Sequence, residues 1–506
     1  MFDKILRLGK ETAIYGLSTV VGRLLNFLIV PFYANVLLPA ENGIISNIYA
    51  YIAFAYVMFC YGMEPAYMRF VSSLELGDRK QNFSVPFLSL LATSVLFALA
   101  IHFNSVALAL LLGINPSQHY FIQYAGWILC LDALTVIPFA SLRMEQKAKR
   151  FAILKIFNII ANLLLNIGLI LGLRLHAEGV FLANLLASGL TFLAMIGLVL
   201  RQLTFKFPAG LFKEILKFGL PYIPAGLAGI AMQVIDRPIV KALTNDATLG
   251  IYQLNYRLGI FMMLIVGMFD YAWRPFFLTH AKDADAKQLF SKVFTYFVLG
   301  AMSIFLIISL FIEDIVRMKF FGKQFFPPIY WQGVEIVPWV LLAYVFTGAY
   351  VVFVVGVYLE KKTKYLPFIS GAGALLNVAA NFFLIPKIGI LGAALSTLFS
   401  YIVMAVGMYF ASQRFYRVKY EWKKVIKIAG TAACMFILFR LLHLQPLDSV
   451  GICVKLVIVI AFGAALLFLK VIDSGEMTEI KSIVQRVFTR SSDAKASEEF
   501  PKSHEQ

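Results

Sequence analysis

Charge is scarce in this 506-residue chain: 14% of its residues are Asp, Glu, Lys or Arg, whereas 60% are hydrophobic. Mean hydropathy is +0.80. A soluble globular protein of this length does not carry such a balance, so the composition indicates a polytopic membrane protein. Cysteine is nearly absent. Cys60, Cys130, Cys434 and Cys453 all lie inside apolar segments without metal-ligand or disulfide spacing, and they read as packing residues. The six histidines are scattered, no glycine-rich phosphate loop occurs, and no loop is long enough to form a domain. These absences speak against a membrane enzyme, and no cofactor or metal is implied. A formal net charge of +17 would suggest nucleic acid in a soluble protein. Here the basic residues stand between hydrophobic runs, which points to membrane topology instead.

Apolar runs of about 18 residues or more predict an all-α protein with fourteen spans. They cover 12–38, 43–68, 83–112, 118–140, 152–173, 178–200, 214–243, 248–278, 290–312, 331–359, 365–386, 389–411, 425–443 and 449–471. Several exceed the bilayer thickness, which implies tilt. The first is too long for a signal-peptide core and no small-residue cleavage site follows it, so it is expected to remain. Alternate loops are basic: Arg69, Arg79 and Lys80; Arg143, Lys147, Lys149 and Arg150; Lys206 and Lys213; Lys282 and Lys287; Lys361, Lys362 and Lys364; and Arg414 to Lys424. The intervening Pro39–Asn42 and Gly113–Ser117 loops have no basic residue. The positive-inside rule then puts both termini in the cytoplasm. Arg317, Lys319 and Lys323 break the pattern, and the aromatic MKFFGKQFFPP around them is expected to lie flat on the outer interface. Near the end, Met477, Ile480, Ile483, Val484, Val487 and Phe488 recur at helical spacing beside Lys481, Arg486 and Arg490. This is a basic amphipathic helix for the inner surface, and the polar chain beyond Ser491 is expected to be disordered.

The sequence is written twice. A shift of 207 sets LIVPFYANVLLPAENGIISNIY, from Leu28, over IDRPIVKALTNDATLGIYQLNY, from Ile235, matching Pro31 to Pro238, Gly43 to Gly250 and Tyr49 to Tyr256. A shift of 215 sets EQKAKRFAILKIFNIIANLLLNIG over EKKTKYLPFISGAGALLNVAANFF, matching Glu145 to Glu360, Asn162 to Asn377 and Asn166 to Asn381. Spans 1–2 and 4–5 thus repeat as 7–8 and 10–11, a six-plus-six duplication. Six helices per repeat keep the halves parallel, related by an axis along the membrane normal, with substrate expected between them. The expected organisation is a six-helix bundle over 1–205, a second over 206–412, spans 13 and 14 over 413–472, and a tail over 473–506. The Asn pairs, at i and i+4, put two amides on one helix face and read as interhelical packing.

Charges inside the spans differ in depth. Arg23 lies near the middle of the first span, roughly 15–20 Å from either end and beyond comfortable snorkelling. Such a charge costs roughly 2.5–3.5 kcal/mol on insertion scales, so it faces a protein interior or a water-filled cavity. Two readings fit: an arginine tied to a neighbouring group for packing, or a cation lining an anion's pathway. Arg237 on span 7 and Arg257 on span 8 lie about two turns from the outer side. Asp132, Asp236 and Asp270 are the possible counter-ions. Glu64 and Arg69, in GMEPAYMRF, form either a local pair or an inner gate. Lys155, Arg274 and Lys455 lie near span ends and are set aside as snorkelling residues. Gly219, Pro221 and Pro224, in FGLPYIPAGL, should bend span 7 near its inner end and act as a gating hinge. Arginine's planar, permanently charged fork suits phosphate oxygens, so two or more lining one cavity would hold a phosphate or pyrophosphate.

GRLLNFLIVPFYANVLLPAENG, YGMEPAYMRF, the AWRPFF stretch around Trp273 and LNVAANFFLIPKIGILGAALSTLFSY resemble the bacterial polysaccharide exporter family. This family includes the O-antigen and capsule-repeat flippases of the multidrug/oligosaccharidyl-lipid/polysaccharide superfamily. The resemblance covers spans 1–12 at least. It implies a V-shaped pair of six-helix bundles in the bacterial inner membrane. The implied activity is outward transfer of an undecaprenyl-pyrophosphate-linked oligosaccharide, in functional association with a polysaccharide polymerase and glycosyltransferases. The family's cationic cavity maps onto Arg23, Arg237 and Arg257. Two rivals share the scaffold. A lipid II flippase is a relative, less close in its motifs. A multidrug antiporter exporting organic cations would want a carboxylate in the first span, where this chain has Arg23 and no acid.

Overall fold

A computed structural model describes Phe27 and residues 29–320, 322–362 and 364–471. Residues 29–36 are helical. The first half continues with α1 (Pro39–Cys60), α2 (Met63–Ser73), α3 (Arg79–Phe103), α4 (Ser105–Leu111), α5 (Tyr120–Met144), α6 (Ala148–Ile167) and α7 (His176–Gln202). The second half has α8 (Ala209–Gly219), α9 (Tyr222–Val234), α10 (Asp236–Leu243), α11 (Asp246–Tyr256), α12 (Ile260–His280), α13 (Ala286–Arg317), α14 (Val337–Leu359), α15 (Tyr365–Ile388) and α16 (Ile390–Phe415). The last two are α17 (Trp422–Leu441) and α18 (Ser449–Phe468).

Among the described residues, twelve helical stretches are long and apolar enough to cross a membrane. They correspond to the expected spans 2–12 and 14. Span 13 is the helix α17, whose Lys423, Lys424, Lys427 and Arg440 lower its hydropathy. Arg23 and the tail beyond residue 471 lie outside the described residues. The protein is therefore an all-α, multi-pass membrane protein. Leu96, Leu164, Phe383 and Ile460 point outward, where a lipid surface suits them.

By contact the chain forms two units. Among the described residues, one comprises 27–290 together with 312–418, and the other comprises 291–311 with 419–471. In the second unit Lys455 is buried, its ammonium 5.6 Å from the centre of the Phe439 ring and 5.9 Å from that of Phe311. It does not snorkel as its place in the sequence suggested.

Within the first unit, the duplication appears as a reciprocal contact. α1 and α11 cross so closely that a Cβ on Gly43 would fall inside the Asp246 carbonyl, and one on Gly250 inside the Pro39 carbonyl. Pro39 and Asp246 are themselves separated by the repeat shift, so each half presents the same glycine to the same carbonyl of the other. The Asn pairs repeat as well. The Asn166 amide donates to the Asn162 carbonyl at 2.8 Å and to its side chain at 3.0 Å; Asn381 does the same to Asn377 at 2.8 and 2.9 Å. At the opposite end of α1, Gly62, with φ of +73°, packs its backbone on that of Gly219, and Phe70 meets Phe218 edge-on. Both glycines are required by this approach, and Gly62 also by its left-handed backbone.

The segment after α13 folds back on itself. Lys319–Phe320 pairs antiparallel with Lys323–Gln324, and this short hairpin hooks onto the first half. Asn35 donates to the Gln324 carbonyl at 2.9 Å, and Asn42 to the Tyr330 hydroxyl at 3.0 Å. Arg317 stacks over Trp331, its guanidinium carbon 4.4 Å from the ring centre.

Gly250→Val should disrupt the α1–α11 crossing. Overpacking of this kind costs about 1–3 kcal/mol, so the melting temperature in detergent should fall by several degrees. Gly197→Val on α7, where a Cβ meets nothing within 4 Å, is the control and should leave it unchanged. Equal melting of both variants would contradict the crossing.

Candidate functional site

The two spans that carry Arg237 and Arg257 are broken at those charges. Span 7 is divided twice. α8 ends at Gly219 and α9 starts at Tyr222, so the turn contains Pro221 with Pro224 just beyond it, as the motif predicted. A second break, at Ile235, separates α9 from α10 and puts Asp236 and Arg237 in the first turn of the new helix, ahead of Pro238. A proline without an N–H is tolerated there, where the helix has no bond to lose. Span 8 changes from α11 to a 3₁₀ turn, Arg257–Gly259, before α12 begins. Arg237 and Arg257 thus stand at interruptions of consecutive spans, the arrangement that membrane carriers use where irregular backbone lines a cavity.

Arg257 opens onto a cavity of about 430 Å³. Its walls come mainly from the first half: Phe27, Tyr33, Tyr49, Asn158, Asn162 and Asn184, with Arg257 and Ile260 facing them from the second. Among the described lining residues Arg257 is the one charged group. The ionisable groups that bear on it are Tyr33, Tyr49 and Arg237, none of them a carboxylate. Arg257 feels the repulsion of Arg237 and, among the described residues, no carboxylate bears on it, while Arg237 has Asp236 beside it; a bound anion would stabilise Arg257.

The polar wall is internally braced. Tyr33 donates to Asn166 at 2.7 Å, Asn184 to the Tyr49 hydroxyl at 2.8 Å, and Asn158 to Thr191 at 2.9 Å. The Tyr49 ring stacks on Phe181, with centroids 5.5 Å apart. The Asn pair expected as packing therefore does pack, and Asn162 also faces the cavity.

A second, smaller cavity of about 170 Å³ adjoins the first through Asn158 and Asn184. It holds Asp132, which accepts from Ser188 at 2.6 Å, and Lys155, whose ammonium sits 4.2 Å from the centre of the Phe139 ring. Its place in the sequence predicts a snorkelling Lys155. α6 starts at Ala148, so Lys155 is two turns inside the helix and turns toward Asp132.

The other charges are engaged elsewhere. Asp236 is buried and accepts from the Tyr252 hydroxyl at 2.5 Å. Asp270 pairs with Arg274 one turn along the same helix, at 2.9 Å, rather than with a deep arginine. Arg69 pairs with Glu75 at 2.9 Å and not with Glu64. Glu64 instead takes Arg143, at the end of α5, which joins α2 to α5. No sequence signal marks a partner 79 positions away.

The profile of the polysaccharide biosynthesis protein family matches residues 8–281. Among solved structures, the lipid II flippase MurJ in an inward closed conformation aligns with a TM-score of 0.70 at 16% identity, covering 89% of this chain and 98% of that one. A multidrug resistance MATE transporter of the MOP superfamily, inward-facing, gives 0.62 at 13% identity, over 81% of this chain and 97% of that one. An outward-facing MATE transporter gives 0.54 at 14% identity, over 80% and 95%. The chain shares their fold. No curated protein sequence matches it significantly.

Tyr33 and Asn166 are both buried, so Tyr33→Phe leaves the Asn166 carbonyl oxygen without its donor. The expected cost is about 1–3 kcal/mol, read as a lower melting temperature. Tyr33→Phe with Asn166→Leu removes both partners and should recover much of the loss. A double variant less stable than the single would contradict this reading of the wall.

Proposed function

Because the chain belongs to the polysaccharide biosynthesis protein family, we propose that it is a flippase rather than an enzyme. In this reading it moves an undecaprenyl-pyrophosphate-linked oligosaccharide repeat from the cytoplasmic to the outer leaflet of the bacterial inner membrane, by alternating access. Both termini face the cytoplasm, as the basic loops require. The observation that carries the proposal is Arg257: a permanent cation at a helix break, open to a cavity between the halves, with no carboxylate bearing on it among the described residues. Arg237, and Arg23 from the first span, complete the anion site.

The cavity's charge selects between cargoes that the fold alone leaves open. An organic cation would meet Arg257 with repulsion, whereas a pyrophosphate gains bidentate contacts. An inside-negative potential also favours outward movement of an anionic head group by about 2.3 kcal/mol per charge per 100 mV. The remaining charges serve the movement. Glu64 with Arg143 ties spans 2 and 4 at the cytoplasmic end, and Arg69 belongs to the same rim. Asp236 holds the start of α10 through Tyr252, Asp132 answers Lys155, and Asp270 anchors Arg274. The Gly219, Pro221 and Pro224 turn is the hinge about which the cytoplasmic contact with Gly62 opens.

In a reconstituted assay with lipid-linked oligosaccharide, Arg23→Ala and Arg257→Ala should each abolish transport, or lower it at least about tenfold, the equivalent of one lost charge-assisted contact. Membrane insertion should be intact. Lys455→Ala, outside the cavity unit, should transport more than either. Wild-type rates in the two arginine variants, or an equal loss in all three, would contradict the anion site.

A further inference from the structure

The two halves share a backbone plan, and several positions at the cavity differ between them in chemistry. Asn158 corresponds, at the 215 shift, to Gly373. There the second half packs α15 against α16 so tightly that a Cβ would lie 2.5 Å from Met404. Asn162 corresponds to Asn377, which is buried without lining a described cavity. Arg257 corresponds, at the 207 shift, to the fully buried Ala50. The first half has thus lined the cavity with neutral amides where the second carries Gly373 packed on Met404, and the second has placed its cation opposite.

Resting on the flippase reading, we infer that this first-half wall is a carbohydrate subsite, with Asn158, Asn162, Asn184 and Tyr49 as the residues that read the sugar next to the pyrophosphate. Amides are costly to face into a membrane protein's interior without partners. Each offers a donor and an acceptor, the pair of roles that a sugar hydroxyl fills. The internal bonds leave capacity for a ligand. Asn158 spends its N–H groups on Thr191 and the Ala187 carbonyl, so its oxygen is available as an acceptor. Tyr49 accepts from Asn184, so its hydroxyl hydrogen is available as a donor. The Tyr49–Phe181 stack sets an aromatic surface beside the amides, suited to the C–H face of a pyranose ring. The cavity chemistry is therefore divided, with the cation on the second-half wall and neutral hydrogen-bonding groups on the first. A ligand with an anionic end and a neutral polyhydroxyl body matches this division. The adjoining cavity beyond Asn158 and Asn184 continues the polar path for the next sugar.

The test compares two probes on purified full-length protein, undecaprenyl pyrophosphate and undecaprenyl-pyrophosphate hexose. Wild type should bind the hexose-bearing probe more tightly. Asn158→Leu with Asn184→Leu should reduce that preference about tenfold, the worth of one or two lost hydrogen bonds, while affinity for the bare carrier stays within about twofold. Asn158→Ser, which keeps a hydroxyl, should keep part of the preference. Arg257→Ala should weaken both probes alike. Asn381→Leu, buried in the second half, controls for loss of a helical amide and should leave the preference intact. A preference retained in the double variant, or equal affinity of wild type for the two probes, would overturn the subsite and leave the carrier reading standing. Wild-type protein that bound neither probe would overturn both.

Discussion

The crossing of α1 and α11 at Gly43 and Gly250 is the contact on which the arrangement of the first unit depends. Two helices meet there backbone to backbone because neither glycine has a Cβ. Each glycine faces the carbonyl that corresponds to its partner's, so the contact lies on the pseudo-two-fold axis of the duplication. Tyr49 sits two turns along α1 from Gly43, and Arg257 two turns along span 8 from Gly250, so the crossing brings them into reach of the same space. At the other end of α1, Gly62 on Gly219 makes a second backbone contact between the halves. A cavity with a glycine contact beyond each end is the geometry that an alternating-access cycle needs. Packed contacts of this kind are made or broken rather than stretched, and in the proposed cycle one opens while the other holds.

Duplication gave the two halves one geometry, and later substitution gave them two chemistries. The pair Asn162–Asn166 and its copy Asn377–Asn381 make the same hydrogen bonds. In the first half Tyr33 adds a donor to Asn166; in the second its counterpart is Val240, and the Asn381 side-chain oxygen is left unpaired. The first half thus carries the neutral hydrogen-bonding face. The second carries the breaks in spans 7 and 8, with Arg237 and Arg257 at them. A symmetric scaffold with an asymmetric lining suits an asymmetric cargo, one end of which is charged.

Much of this was legible in the sequence because lipid leaves a chain few choices. Spans 2–12 and 14 were visible as apolar runs, since an unsatisfied backbone in hydrocarbon is prohibitive. The duplication was visible at Gly43 and Gly250 because a backbone contact tolerates no other residue. The break at Pro221 was announced by its prolines. What hydropathy could not give was rotation about the helix axis. Lys155 was sorted by distance along its span, yet it turns toward Asp132. Lys455 was sorted the same way and is buried between aromatic rings. Asp270 offered itself as a counter-ion to distant arginines while Arg274, one turn away, was already in place. The partnership of Glu64 with Arg143 depends on how α2 packs on α5, which no local signal encodes. The 3₁₀ turn at Arg257 was likewise silent, with only Gly259 nearby as a mark.

The central claim is that the cavity carries an anionic, sugar-bearing lipid. Its most direct test is translocation by the purified wild-type protein in proteoliposomes, following a labelled undecaprenyl-pyrophosphate oligosaccharide in parallel with a cationic dye. Leaflet exchange of the lipid-linked oligosaccharide should run well above that in protein-free vesicles, faster with the destination side positive, and the dye should not move. Transport of the dye without acceleration of the lipid-linked oligosaccharide would contradict the claim.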